Sequence, residues 1–216
     1  MRLMRSWLPL LLGAASLAAC ALALAETKET GADLGAQAAA DAIKTAAATD
    51  GAFVAAGVLK DGYDKTQDLA SMLLYPEDQI MVLKLTGAQV RDALERSVSL
   101  YPQPNSSFLQ LAGFEATFNK NASDGHRITS VTANSSALNN ASTYTVAMPA
   151  RLAQGGYGYF KCWHDSDIVK TIENATVESV LKGKSYTDSS PRWTVVSTPV
   201  AQHSSNIVAK ARTGRA

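Results

Sequence analysis

A strand pattern that runs straight into a glycine cluster constrains this chain more than any other stretch. Residues Thr143–Phe160 read TYTVAMPARLAQGGYGYF. Tyr144, Val146 and Met148 alternate with Thr143, Thr145 and Ala147, the period-two signature of a half-buried strand. After Pro149 the chain reaches Gly155-Gly156-Tyr157-Gly158-Tyr159. Glycines packed this closely permit positive φ angles and close approach of another backbone or of a ligand. The loop has neither the spacing and lysine of a phosphate loop nor the dinucleotide fingerprint. A sharp turn that packs an aromatic pair is the plainer account of the same residues.

The surrounding pattern alternates strands and helices. Asp33–Ala48 is Ala-rich with helical propensity, Phe53–Gly57 reads as a short apolar strand, and Thr66–Tyr75 as a short helix before Pro76. Ile80–Leu85 is an apolar run of strand length. Thr86-Gly87-Ala88-Gln89 matches a capping box, with Val90, Ala93, Leu94 and Val98 following on one helical face. Phe108–Asn119 reads as a strand with a bulge at Gly113, and Asp124-Gly125 turns it into Arg127–Ala133 as a hairpin. Asp167–Ile172 is a further strand, Ala175–Lys182 a short helix, and Arg192–Ser197 a last strand. This order predicts a single mixed α/β domain.

The matching run of Leu83–Leu94 (LKLTGAQVRDAL), Phe108–Gly113 (FLQLAG), Gly125–Val131 (GHRITSV) and Tyr144–Tyr159 resembles the C-terminal, substrate-recognition domain of the 5′-nucleotidases. Ala40-Asp41-Ala42-Ile43 echoes that family's opening helix, and the resemblance extends from about Asp33 to Val196. It implies nucleotide catabolism, with catalysis in a separate metallophosphatase domain and a substrate pocket in this one. In that pocket two aromatic rings sandwich the base. The resemblance puts Glu77, of Pro76-Glu77-Asp78-Gln79, where one ring belongs, and Arg151 where the other belongs. Tyr157 stands in place of an acid between the second and third glycines, and Ala55-Ala56-Gly57-Val58-Leu59 in place of a glycine- and arginine-bearing turn. Residues that shape the fold persist while those that would hold a nucleotide do not.

The ends of the chain speak to location. Arg2 and Arg5 precede an apolar run from Trp7 to Ala25 that closes on Ala23-Leu24-Ala25, the pattern of an export signal over residues 1–25. Leu17-Ala18-Ala19-Cys20 offers a competing lipoprotein signal over 1–19, with Cys20 as the lipid anchor. Both predict a periplasmic or secreted protein that meets a membrane only through its leader or lipid. Residues 31–200 then form the domain, and 201–216 a flexible polar tail. Basic and acidic side chains number 20 and 19 over the whole chain, which leaves no electrostatic footprint for nucleic acid. With Cys20 removed or lipidated, Cys162 has no internal partner and reads as a buried thiol.

Catalytic chemistry is not visible. A two-metal centre needs several converging ligands, whereas the three histidines, His126, His164 and His203, stand far apart in dissimilar contexts. His164-Asp165 is a weak metal motif, and a Cys162–His164 pair on one strand face would lack an orienting third group. No catalytic residue, metal or cofactor is assigned. Arg151, Gly155, Gly156, Tyr157, Gly158 and Tyr159 are the candidate ligand-binding residues, with Arg151 and the two tyrosines offering a cation and stacking surfaces. Three functions remain open. One is a non-catalytic module binding a nucleoside, a nucleotide, another small molecule or a protein. Another is the recognition subunit of a two-chain nucleotide hydrolase with a separate metallophosphatase chain. The last is a structural envelope protein.

Overall fold

The computed structural model describes residues 34–60, 66–185 and 191–197. The expected leader, with Cys20, and the expected tail from 201 lie outside the described residues. Among the described residues no helix is long and apolar enough to cross a membrane.

Helix α1 (Leu34–Ala47) opens the domain. Ala36, Ala39, Ala40 and Ile43 form its fully buried stripe, at the spacing of one helical face. Their small side chains bring α1 close to strands β1 (Gly51–Ala55) and β3 (Leu109–Ala112). Strand β2 (Gln79–Thr86) leads into helix α2 (Gly87–Val98) through the expected capping box. Thr86 Oγ1 accepts from the Gln89 amide at 3.2 Å, and Gln89 Oε1 accepts from the Thr86 amide at 2.9 Å. Val90, Ala93, Leu94 and Val98 are all buried, as their spacing requires.

Strands β4 (Phe114–Asn119), β5 (Ile128–Ala133), β6 (Ser136–Ala137), β7 (Thr143–Pro149), β8 (Ile168–Thr176) and β9 (Trp193–Val196) complete two sheets. One has the order β3-β1-β7-β2-β8, the other β6-β5-β4-β9. Within the first only the β1–β7 pair is parallel; within the second only β4–β9. Short helices α3 (Ala150–Ala153) and α4 (Val177–Leu181) follow β7 and β8. Helix α2 touches β2 of one sheet and β5 of the other, and a single hydrophobic core runs through both.

Four sequence expectations are corrected. Phe108–Asn119 is not one bulged strand: it divides into β3 and β4, which belong to different sheets. Gly113 is the crossing point, at φ +76°, and a Cβ there would strike the Asp50 carbonyl oxygen. The first apolar strand is Gly51–Ala55 rather than Phe53–Gly57, and Thr66–Tyr75 contains only a four-residue 3-10 turn, Leu69–Met72. Strand β7 does not keep the expected alternation: Thr143 is exposed, and Tyr144 and Thr145 are both half-buried. Val146, Ala147, Met148 and Pro149 are all buried, because β7 lies between β1 and β2 with both faces covered there.

The outer edge of β3 is closed by side chains. Gln37 of α1 donates to the Leu111 carbonyl and accepts from its amide, Ser97 Oγ of α2 accepts from the Leu109 amide, and Trp193 Nε1 of β9 donates to the Leu109 carbonyl. All three side chains are buried. A strand edge in the core must have its backbone groups paired, and here three distant segments do it. Gly113→Ala is expected to cost about 2 kcal/mol or more in urea unfolding, from left-handed strain plus the clash with Asp50. An unchanged midpoint would mean the crossing between sheets tolerates a side chain.

Candidate functional site

The glycine loop forms because β7 ends at Pro149 and α3 lasts only one turn. A distorted 3-10 turn, Gly156–Lys161, then begins from left-handed Gly155 at φ +83°. Tyr157 and Gly158 are also left-handed, at φ +57° and +85°. A Cβ on Gly158 would run into the Arg96 guanidinium, so glycine is needed there for both conformation and space. Gly156 lies directly on the Arg151 carbonyl.

The loop is anchored inward by contacts that its own sequence does not reveal. The Tyr157 carbonyl accepts from Arg96 of α2 at 3.1 Å and from Ser107 Oγ at 2.7 Å. Tyr159 is fully buried, donates to the Ser107 carbonyl, and stacks on Trp163 with ring centroids 4.9 Å apart. Trp163 in turn donates to the Leu152 carbonyl at 3.0 Å. Burial pushes the Tyr159 phenol well above its ordinary range. Tyr159 therefore has no free face and serves as the loop's anchor, leaving Tyr157 as the tyrosine near the surface.

Tyr157 reaches across to Gly57, donating to its carbonyl at 3.0 Å, and its ring fills the space a Gly57 side chain would need. Burial first, then the nearby Tyr75 and Asp78, raise the Tyr157 phenol pKa. Beside it lies the best-defined group of charges on this surface. Arg151 Nε meets Asp78 Oδ1 at 3.1 Å, and its Nη2 meets Glu77 Oε1 at 3.3 Å. Its guanidinium carbon stands 3.9 Å from the Tyr75 ring centroid, in cation–π contact. Asp78 is only 7 % exposed, against 47 % for the Arg151 side chain and 66 % for Glu77. Burial raises the Asp78 pKa, against the opposing hydrogen bonds and charge of Arg151. Desolvation acting on Arg151 is outweighed by Asp78 and Glu77, so its pKa lies above the usual arginine value.

Thus the structure brings Arg151 and Tyr157 together with Tyr75, Glu77, Asp78 and Gly57, and separates them from Tyr159. Sequence reasoning picked out Glu77 and Arg151 individually but not their contact, since they lie 74 residues apart. Tyr75, Arg96 and Ser107 were missed; only the pairing of β2 with β7 places Tyr75 beside the loop.

Other candidate groups fall elsewhere. Among the described residues no three His, Cys, Asp or Glu side chains converge as metal ligands. His164 precedes a short turn, its amide donating to Asp167 at 2.9 Å. Cys162 closes the 3-10 turn in α-like geometry and His164 is extended, so the two do not share a strand face. A polar crevice of about 280 Å³ separates α1 from the β5–β6 hairpin, where Arg192 pairs with Asp41 at 3.4 Å.

The family model for the 5′-nucleotidase C-terminal domain matches residues 15–163. The chain belongs to this family. It is 34 % identical over 118 residues to the trifunctional nucleotide phosphoesterase YfkN of Bacillus subtilis, covering 52 % of this chain and 8 % of that protein. Protein 5NUC of Lutzomyia longipalpis is 32 % identical over 111 residues, covering 47 % of this chain and 19 % of that protein. The chain therefore spans less than a fifth of either relative. Among solved structures, the 5′-nucleotidase precursor of Thermus thermophilus superposes with a TM-score of 0.62 at 20 % identity, over 77 % of this chain and 36 % of that one. The NAD nucleotidase of Haemophilus influenzae gives 0.58 at 15 % identity, over 76 % and 33 %. The mixed α/β fold and the family expected from the sequence are both shown. Strands β8 and β9 and helix α4 lie beyond the family match.

Burial pushes the Cys162 thiol up to about 11, ahead of the smaller effect of Asp92. Because only the thiolate alkylates, the rate at Cys162 is expected to climb about tenfold per pH unit from pH 8 to 10, read by peptide mapping with iodoacetamide. A plateau near neutral pH would instead reveal a nucleophile activated by His164.

Proposed function

We propose that this protein is an exported, non-catalytic member of the nucleotidase C-terminal domain family that binds a small molecule or a protein on its glycine-loop surface. The arrangement of Arg151 carries the reading. A residue at the heart of the loop surface is committed to Asp78, Glu77 and Tyr75 rather than poised for reaction. Of the Asp-x-His, Gly-Asn-His-Asp/Glu and Gly-His-x-His patterns of a metallophosphatase, the 216 residues contain only a lone Asp-x-His, Asp124-Gly125-His126, in the connection between β4 and β5. The export reading rests on the N-terminal pattern of Arg2, Arg5 and the apolar run to Ala25, with Cys20 as the site if a lipid is attached.

A second reading is favoured by the family match to the C-terminal domain of the 5′-nucleotidases. This chain covers only about a third of each solved nucleotidase it superposes on, 36 % and 33 %. In that reading this domain is the recognition subunit of a nucleotide hydrolase and pairs with a separate metallophosphatase chain. Purified chain with manganese or zinc is expected to release no phosphate from AMP above the metal-only blank. Release by the chain alone would sink the non-catalytic reading; release only after a metallophosphatase co-purifies would favour the two-chain one.

A further inference from the structure

The backbone of the segment Tyr75–Asp78 is held without the side chain of Arg151. The Asp78 amide donates to the Tyr75 carbonyl at 3.2 Å. The first amides of α4 hold the segment from the other side, Val177 donating to Asp78 at 2.8 Å and Glu178 to Pro76 at 3.1 Å. These bonds set the backbone that carries Tyr75, Glu77 and Asp78, and the Asp78 carboxylate also accepts from the Arg151 amide at 3.4 Å, a contact that a change of the Arg151 side chain leaves in place. Arg151 comes from another element, α3, and lies on them with nearly half of its side chain exposed.

That arrangement has the chemistry of a receptor for a planar cation. An aromatic face receives the flat side of a guanidinium, and two carboxylates receive its N–H edges. The charge balance points the same way. Two carboxylates face one guanidinium, so the group is net negative with Arg151 in place and more so without it. A phosphate brought to this surface meets repulsion from Glu77, and an aromatic base seeking Tyr75 finds its face covered. Tyr157 adds no second open face, because its hydroxyl is tied to Gly57.

We propose that Tyr75, Glu77 and Asp78 form a planar-cation site that Arg151 occupies from within the chain, and that its external ligand is a guanidinium or amidinium group which takes Arg151's place. The proposal rests on the binding-module reading and narrows it to a cationic ligand rather than a nucleotide. Arg151, tethered nearby, competes at high effective concentration. A free small guanidinium therefore binds the wild type poorly, and a partner displaces Arg151 only with additional contacts of its own.

The test is a thermal-shift and calorimetric titration of the full chain with agmatine, adenosine and AMP, using wild type, Arg151→Ala and Arg151→Gln. Arg151→Gln keeps part of the aliphatic stem with an uncharged polar end and stands in should the alanine variant unfold. Agmatine is expected to raise the melting temperature of the Arg151 variants saturably, with at least tenfold tighter binding than to wild type. Adding Glu77→Gln to either variant is expected to weaken that binding at least threefold, and AMP to give no shift. Equal agmatine binding by wild type and variants, or none by a folded variant, would overturn the proposal. So would AMP or adenosine binding the variants more tightly than agmatine. AMP binding to the wild type would overturn the cationic specificity while upholding the loop as a ligand surface. Silence from every ligand with a folded variant would remove the cation site alone and leave the broader reading to partner binding.

Discussion

The outer edge of β3 is the constraint on which the rest of the domain depends. A strand buried at a sheet edge presents backbone groups with no neighbouring strand, and leaving them unpaired costs about 1–3 kcal/mol each. Gln37, Ser97 and Trp193 supply the missing partners from α1, α2 and β9. Polar atoms buried for this purpose would be liabilities anywhere else. The requirement draws together the start, middle and end of the domain, and it fixes where α2 lies between the two sheets. Gly113 follows two residues after the last of these contacts, and there the chain leaves one sheet for the other.

From that frame the glycine loop takes its position. Arg96 and Ser107, neighbours of the residues that close β3, hold the Tyr157 carbonyl. The inward half of the loop is thereby joined to the core, with Tyr159 and Trp163 stacked beneath it. The outward half is different. Arg151 and Tyr157 lean toward Tyr75–Asp78 and Gly57, and make polar contacts that packing does not demand. One loop therefore has a side joined to the core and a side that makes charged contacts near the surface.

Much of the fold was legible in advance where a pattern is local. The capping box at Thr86 and Gln89, the apolar face of α2, and the hairpin through Asp124-Gly125 all depend on neighbours within a few residues. Where reading failed, the deciding contact was distant. Gly113 resembles a bulge in its own segment, and only the existence of a second sheet makes it a crossing. The buried half of β7 could not be told from an alternating strand until β1 and β2 were seen on either side of it. At the site, Glu77 and Arg151 stood out as residues of unexpected type, yet nothing local says that one answers the other.

By itself, then, the sequence determined the mixed α/β class and the position of the glycine loop, because each follows from short-range periodicity, capping and glycine spacing, while the order of its motifs carried the family resemblance. Tertiary structure alone decided that Tyr159 is an anchor and that Arg151 is held by Tyr75, Glu77 and Asp78. Arg151 meets Glu77 across 74 residues of chain, and Tyr159 meets Ser107 across 52. Charge complementarity across such a distance has no local signature, and it exists only once the backbone has brought the two sides within reach.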